Sequence, residues 1–154
     1  MKERLLPILA NSQSRIRGQL VPIIQRIIHF DFPERWPSFL DYTIQLLITN
    51  APASVLAGVQ CLLAICRAYR FKANDSEARV HFDSIIVSTF PRVLEICNEL
   101  VNQESEEAGE MLHIALKAYK HATWVWCCPE DPRTGRVADR CCSSRCLIFC
   151  ANHK

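Results

Sequence analysis

Along most of the chain, apolar residues return every three to four positions, the period of an α-helix. Ile16, Leu20, Ile23, Ile24, Ile27 and Ile28 fall toward one face of a first long helix. The segment Asp31-Phe32-Pro33-Glu34-Arg35-Trp36-Pro37 then ends it, because its two prolines cannot continue the backbone ladder. Pro37 suits the first turn of a following helix, where its missing N–H is not needed. Leu40, Thr43, Ile44, Leu47 and Ile48 form that helix's stripe, and Pro52 opens another, with Val55, Val59, Leu62, Cys66 and Tyr69 on one face and Leu56 and Leu63 beside it. So wide an apolar arc marks a helix buried between neighbours. A polar stretch from Lys72 to Glu77 reads as a surface loop. Ile86, Phe90, Val93, Cys97 and Leu100 make the next stripe, and Pro91, like Pro22 earlier, predicts a bend within its helix. Ser105 is placed to cap a last helix with Glu106, Glu107 and Glu110 early, Lys117 and Lys120 later, and Met111, Ala115, Ala118, Ala122 and Trp126 inward. Leu5, Leu6, Ile8 and Leu9 predict a short helix before residue 12 that has no capping sequence, as though its beginning were missing.

No strand-like alternation bounded by turns interrupts this pattern, so the predicted fold class is all-α, built of antiparallel helix pairs. Pairs starting near residues 12, 52 and 105 recur at intervals near those of HEAT and armadillo repeats. This predicts an α-solenoid, in which each pair buries its faces only against its neighbours.

Composition divides the chain in two. Residues 1–126 hold 13 basic and 13 acidic side chains, whereas residues 127–154 hold five basic and three acidic ones and six of the nine cysteines. The expected organisation is therefore a HEAT-repeat body over 1–126 and an irregular, disordered Cys-rich tail over 127–154. No clustered basic face suits nucleic acid. The longest nearly apolar stretch, Val55 to Cys66, is broken by Gln60 and is shorter than the roughly 20 residues of a membrane helix. The apolar segment Leu5 to Ala10 is short for a signal-peptide core, so an intracellular chain is expected.

Candidate chemistry is sparse. There is no Gly-rich phosphate loop, His-Glu-x-x-His helix or nucleophile elbow, and neither enzyme activity nor a cofactor is expected. Trp36 reads as a wedge between helices, His29 and Asp31 as capping and surface groups, and Cys61, Cys66 and Cys97 as small buried apolar residues. Helix N-terminal charge accounts for the cluster from Glu104 to Glu110. Neither His113 nor His121 has a ligand partner four residues on. In the tail, Cys141, Cys142, Cys146 and Cys150 offer four thiolates for zinc, but adjacent cysteines replace the usual separated pairs. Helical period fails near Trp124 to Trp126. Every valine codon begins with the two bases of a usual intron donor, so the tail from Val125 on reads as read-through or a misplaced gene end rather than a zinc module.

The run Ile27-Ile28-His29-Phe30-Asp31-Phe32-Pro33-Glu34-Arg35-Trp36-Pro37 resembles the loop between the two helices of a HEAT repeat near the N-terminus of importin-beta superfamily receptors, especially the subgroup of importins seven and eight. The resemblance continues through Val55 to Tyr69, Arg70-Phe71-Lys72 and Phe90-Pro91-Arg92, to about residue 124. It implies a fragment of a nuclear transport receptor acting in Ran-dependent protein import, with protein cargo, the GTPase Ran and nucleoporins as partners, shuttling between cytoplasm and nucleus. In such receptors the second helix of each repeat lines the surface that grips partners. Carried onto this chain, that places binding on residues 37–50 and 79–102, where Asp41, Gln45, Arg92, Glu95 and Glu99 are the candidate contacts. The alternative is a small helical adaptor whose Cys-rich tail binds zinc or senses oxidation.

Overall fold

The computed structural model describes residues 2–70 and 76–127. A 3-10 turn, Lys2–Arg4, leads into α1 (Leu5–Asn11), α2 (Ser14–Asp31), α3 (Ser38–Ile48), α4 (Pro52–Arg70), α5 (Ser76–Leu100) and α6 (Glu106–Cys127). Among the described residues the architecture is an all-helical α-solenoid, as the periodicity predicts. The tail and most of the loop expected over 72–77 lie outside the described residues, although α5 already begins at Ser76 rather than near 79.

Helix α4 is the axis of the packing. It touches every other helix, most extensively α6, then α3 and α2, and its residues from Val55 to Cys66 are all buried. By length and composition Pro52–Arg70 could cross a membrane, a helix longer than the sequence stretch suggests because Gln60 and the flanking alanines do not interrupt it. Here 78% of its most apolar window is covered by the protein itself. Helices α2, α4 and α6 form one layer, while α3 and α5 touch each other in a second.

The turn between α2 and α3 is closed by backbone hydrogen bonds from Arg35 to Asp31 (2.7 Å) and from Trp36 to Pro33 (3.3 Å). Trp36 is buried and meets Phe39 edge-on at 4.9 Å between ring centroids, so it acts as the wedge expected of it. The hub is Phe32, which the sequence pattern does not single out. Its ring meets Phe39 and Tyr69 edge-on, each at 6.1 Å, and stacks on His81 at 6.0 Å, joining the turn to the end of α4 and the start of α5. Tyr69 hydroxyl and His81 Nδ1 share a hydrogen bond in the same cluster. Asp31 holds more than a surface role: it pairs with Lys2 and with Arg35 at 3.8 Å, tying the N-terminal turn to the end of α2.

Two stripes are narrower than the sequence suggests. Ile24 and Ile28 are buried and Leu20, Val21 and Ile27 lean on the core, but Ile16 and Ile23 are exposed. The six isoleucine and leucine positions span more arc than α4 can cover. In α3 the buried row is Phe39, Thr43 and Leu47, spaced four apart, which turns Ile48 outward. Thr43 is accommodated because its hydroxyl donates to Phe39 O at 2.8 Å. Ser105 caps α6 as expected, its hydroxyl accepting from the Ala108 amide at 3.1 Å. Met111, Ala115, Ala118 and Ala122 face the core below it.

Candidate protein-binding surface

The five candidate contacts divide into a connected trio and an outlying pair. On α5, successive turns bring Arg92, Glu95 and Glu99 to one side, and Arg92 Nη1 donates to Glu95 Oε2 at 3.0 Å and to Glu99 Oε1 at 3.3 Å. Arg92 Nε reaches across to Leu47 O at 3.2 Å. That carbonyl belongs to the last turn of α3, which has no partner within its own helix, and a cation there also suits the negative helix end. The Glu95 hydrogen bond, foremost, raises the Arg92 pKa further, so this residue is a fixed charge. Arg92 is therefore a latch between α3 and α5 first, and a contact for a partner only through the faces its two carboxylates leave open. Glu95 and Glu99 are well exposed.

Asp41 and Gln45 are exposed one turn apart on α3. Asp41 sits in the first turn, where its charge favours the helix, and the Gln45 carbonyl accepts from Thr49 hydroxyl at 2.8 Å. With three carboxylates and one guanidinium, the five residues carry a net negative surface suited to basic and hydrogen-bonding side chains of a protein.

A cleft the sequence does not reveal opens beside the trio. It holds about 260 Å³ between the end of α3, the end of α5 and the start of α6, and its walls include Asn50, Arg92, Glu99, Gln103 and Glu107 over an apolar floor of Ile96 and Met111. Only Gln103 and Ser105, polar residues flanking the α5–α6 turn, hint at it in the sequence. A second cleft of about 540 Å³ lies where α2, α4 and α6 begin, between Arg17 and the carboxylates of Glu106, Glu107 and Glu110.

The described cysteines are held in the thiol form. Burial pushes the Cys61 and Cys66 thiols up to about 12, and burial likewise raises that of Cys97, which packs against the core but is not fully buried as its stripe position predicts. No group of His, Cys, Asp or Glu able to hold a metal ion occurs among the described residues. The candidate zinc ligands Cys141, Cys142, Cys146 and Cys150 lie outside them.

The family model described as "Exportin 1-like protein" matches residues 13–125, which is α2 through nearly all of α6. The chain belongs to this family, within the importin-beta superfamily. Its relatives include a probable importin-7 homolog of Dictyostelium discoideum, 26% identical over 79% of this chain and 12% of that protein. An importin beta-like SAD2 homolog of Arabidopsis thaliana is 28% identical over 75% of this chain and 11% of that protein. Human importin-8 is 28% identical over 47% of this chain and 7% of its own length. The chain thus spans about a tenth of the curated relatives it matches. No solved structure matches the chain. Membership relates the chain to a family of nuclear transport receptors. The alternative of a zinc-binding or redox-sensing adaptor draws no support from these relatives.

Proposed function

We propose that this chain supplies a partner-gripping stretch of a nuclear transport receptor in Ran-dependent protein import, and that its own activity is protein binding rather than catalysis. The match of the exportin 1-like family over residues 13–125 is the observation that carries the reading. Protein cargo and Ran are the partners, with nucleoporins beside them, and the chain shares the receptors' distribution between cytoplasm and nucleus. Contact runs along α3 and α5, where Asp41, Gln45, Glu95 and Glu99 are exposed and Arg92 holds the two helices at fixed spacing. Attraction between this acidic surface and a basic partner weakens as salt shortens the screening length, about 10 Å at 0.1 M.

The test is a titration of Ran, in its GTP and GDP forms, against the purified chain and against a chain extended by the preceding repeats of an importin relative. Binding selective for the GTP form, stronger in the extended chain and reduced by Glu95→Lys with Glu99→Lys, supports the reading. No binding by either chain removes the transport role and leaves a helical repeat fold.

A further inference from the structure

The cleft beside Arg92 is built largely from helix ends of one polarity. Its sides are the C-terminal ends of α3 and α5 and the first turn of α6, and Val55, Ile96 and Met111 line it with apolar carbon. The carbonyl ends of α3 and α5 both carry partial negative charge, and neither helix has a basic residue in its last turn to offset it. The opposing positive end of α6 is already served, because the Ser105 hydroxyl takes the Ala108 amide and Glu106 and Glu107 stand in the first turn.

Side-chain charge has the same sign. Glu99, Glu107 and Arg92 are the ionised residues that line the cleft. Arg92 is committed to Glu95, Glu99 and the Leu47 carbonyl, so its charge is offset within the protein. Glu107 is exposed and, among the described residues, has no ion-pair partner. The space, about 260 Å³, is smaller than the roughly 300–1,000 Å³ of pockets that enclose a whole small molecule. It suits a single long side chain entering from outside. Apolar floor and acidic walls together fit a methylene stem that ends in a cation.

We propose that this cleft is a socket for a long cationic side chain, lysine or arginine, projecting from a protein partner. The stem lies on Ile96 and Met111, and the cation meets Glu107 and Glu99 beside the carbonyl ends of α3 and α5. The socket continues the protein-binding surface proposed for α3 and α5 onto the first turn of α6 and rests on that reading. It adds Glu107, which is outside the five candidate contacts, as a residue that selects the partner by charge.

Methyl signals of Ile96 and Met111 in the full chain, followed by NMR as a peptide is added, report occupancy. The probes are end-blocked Gly-Ser-X-Ser-Gly peptides in which X is lysine, arginine, norleucine or glutamate. A cationic peptide should shift both methyl groups to saturation, and the tighter of the two names the residue the partner presents. Norleucine, which has a stem without the charge, and glutamate should leave them in place. Glu107→Gln should weaken the cationic peptide by about two- to fivefold, the worth of one exposed ion pair, and Glu107→Lys by on the order of tenfold or more. Asp41→Asn, on α3 but outside the cleft, should change nothing, and melting midpoints confirm that the three variants fold. Saturable cationic shifts from a chain that fails to bind Ran support the socket while removing Ran as its partner. The socket is overturned, whatever Ran does, if neither cationic peptide moves Ile96 and Met111, or if Glu107→Lys leaves their affinity unchanged. Equal shifts with norleucine, which mark an apolar occupant, or with glutamate, which mark an anionic one, overturn it as well.

Discussion

Replacing Gly58 by alanine should destabilise this protein, although the same change at Gly18 and Gly109 should stabilise it. All three glycines lie inside helices, where alanine is favoured over glycine by about 1 kcal/mol. At Gly18 and Gly109 an added Cβ meets nothing within 4 Å, so that gain is realised in full. At Gly58, in the middle of α4, the Cβ would stand 3.1 Å from Leu46 Cβ, 3.1 Å from Leu47 N and 3.2 Å from Leu47 Cδ2. Ordinary contact between carbons is about 3.5–4.0 Å, so α3 must retreat by roughly half an ångström. The obstacle includes backbone, which cannot swing aside as a side-chain tip can. Retreat also draws the Leu47 carbonyl from the Arg92 guanidinium, now 3.2 Å away. Overpacking of this kind costs about 1–3 kcal/mol, which outweighs the helix gain and leaves a net loss of about 1 kcal/mol. For a chain of this size that lowers the melting midpoint by about 3–6 °C. Thermal unfolding followed by circular dichroism of the three variants, side by side, measures the sign. A Gly58→Ala midpoint raised as far as those of Gly18→Ala and Gly109→Ala would refute the close approach of α3 to α4.

Truncating Trp36 to alanine empties the wedge between α2 and α3 and should cost about 3–5 kcal/mol, measured by denaturant unfolding; an unchanged midpoint would mean that the ring packs against nothing. His121 has a lowered pKa, from burial first and then from Arg67, Arg70, Lys120 and Lys117. Its unfolded state binds a proton more readily than its folded state, so stability is present above the ordinary histidine pKa of about 6.5 and falls as pH drops below it. His121→Gln should flatten the fall in melting midpoint over that acidic window, and an identical pH profile for the two proteins would sink the assignment.

Helix positions were legible in the sequence because they depend on local causes. The prolines at positions 33 and 37 end α2 and admit α3, Ser105 caps α6, and the continuous apolar arc from Val55 to Cys66 belongs to the most enclosed helix. The five candidate contacts could be named as polar positions on two helices, but not their grouping. Arg92 reads in sequence as an exposed polar residue. The structure makes it a latch because the carbonyl of Leu47, 45 positions earlier, ends within its reach. Phe32 is one aromatic among several in its turn until Tyr69 and His81 arrive from α4 and α5 to surround it.

The same division explains the stripes. Period alone establishes that Ile16, Ile23, Ile24 and Ile28 lie toward one side of α2, since 3.6 residues per turn is a property of the backbone. Which of them is buried is decided by where α4 lies, and α4 reaches Ile24 and Ile28 while leaving Ile16 and Ile23 in solvent. A helix carries its apolar arc in its own sequence, but the part of that arc withdrawn from water is set by the width and position of a neighbour brought in by another part of the chain.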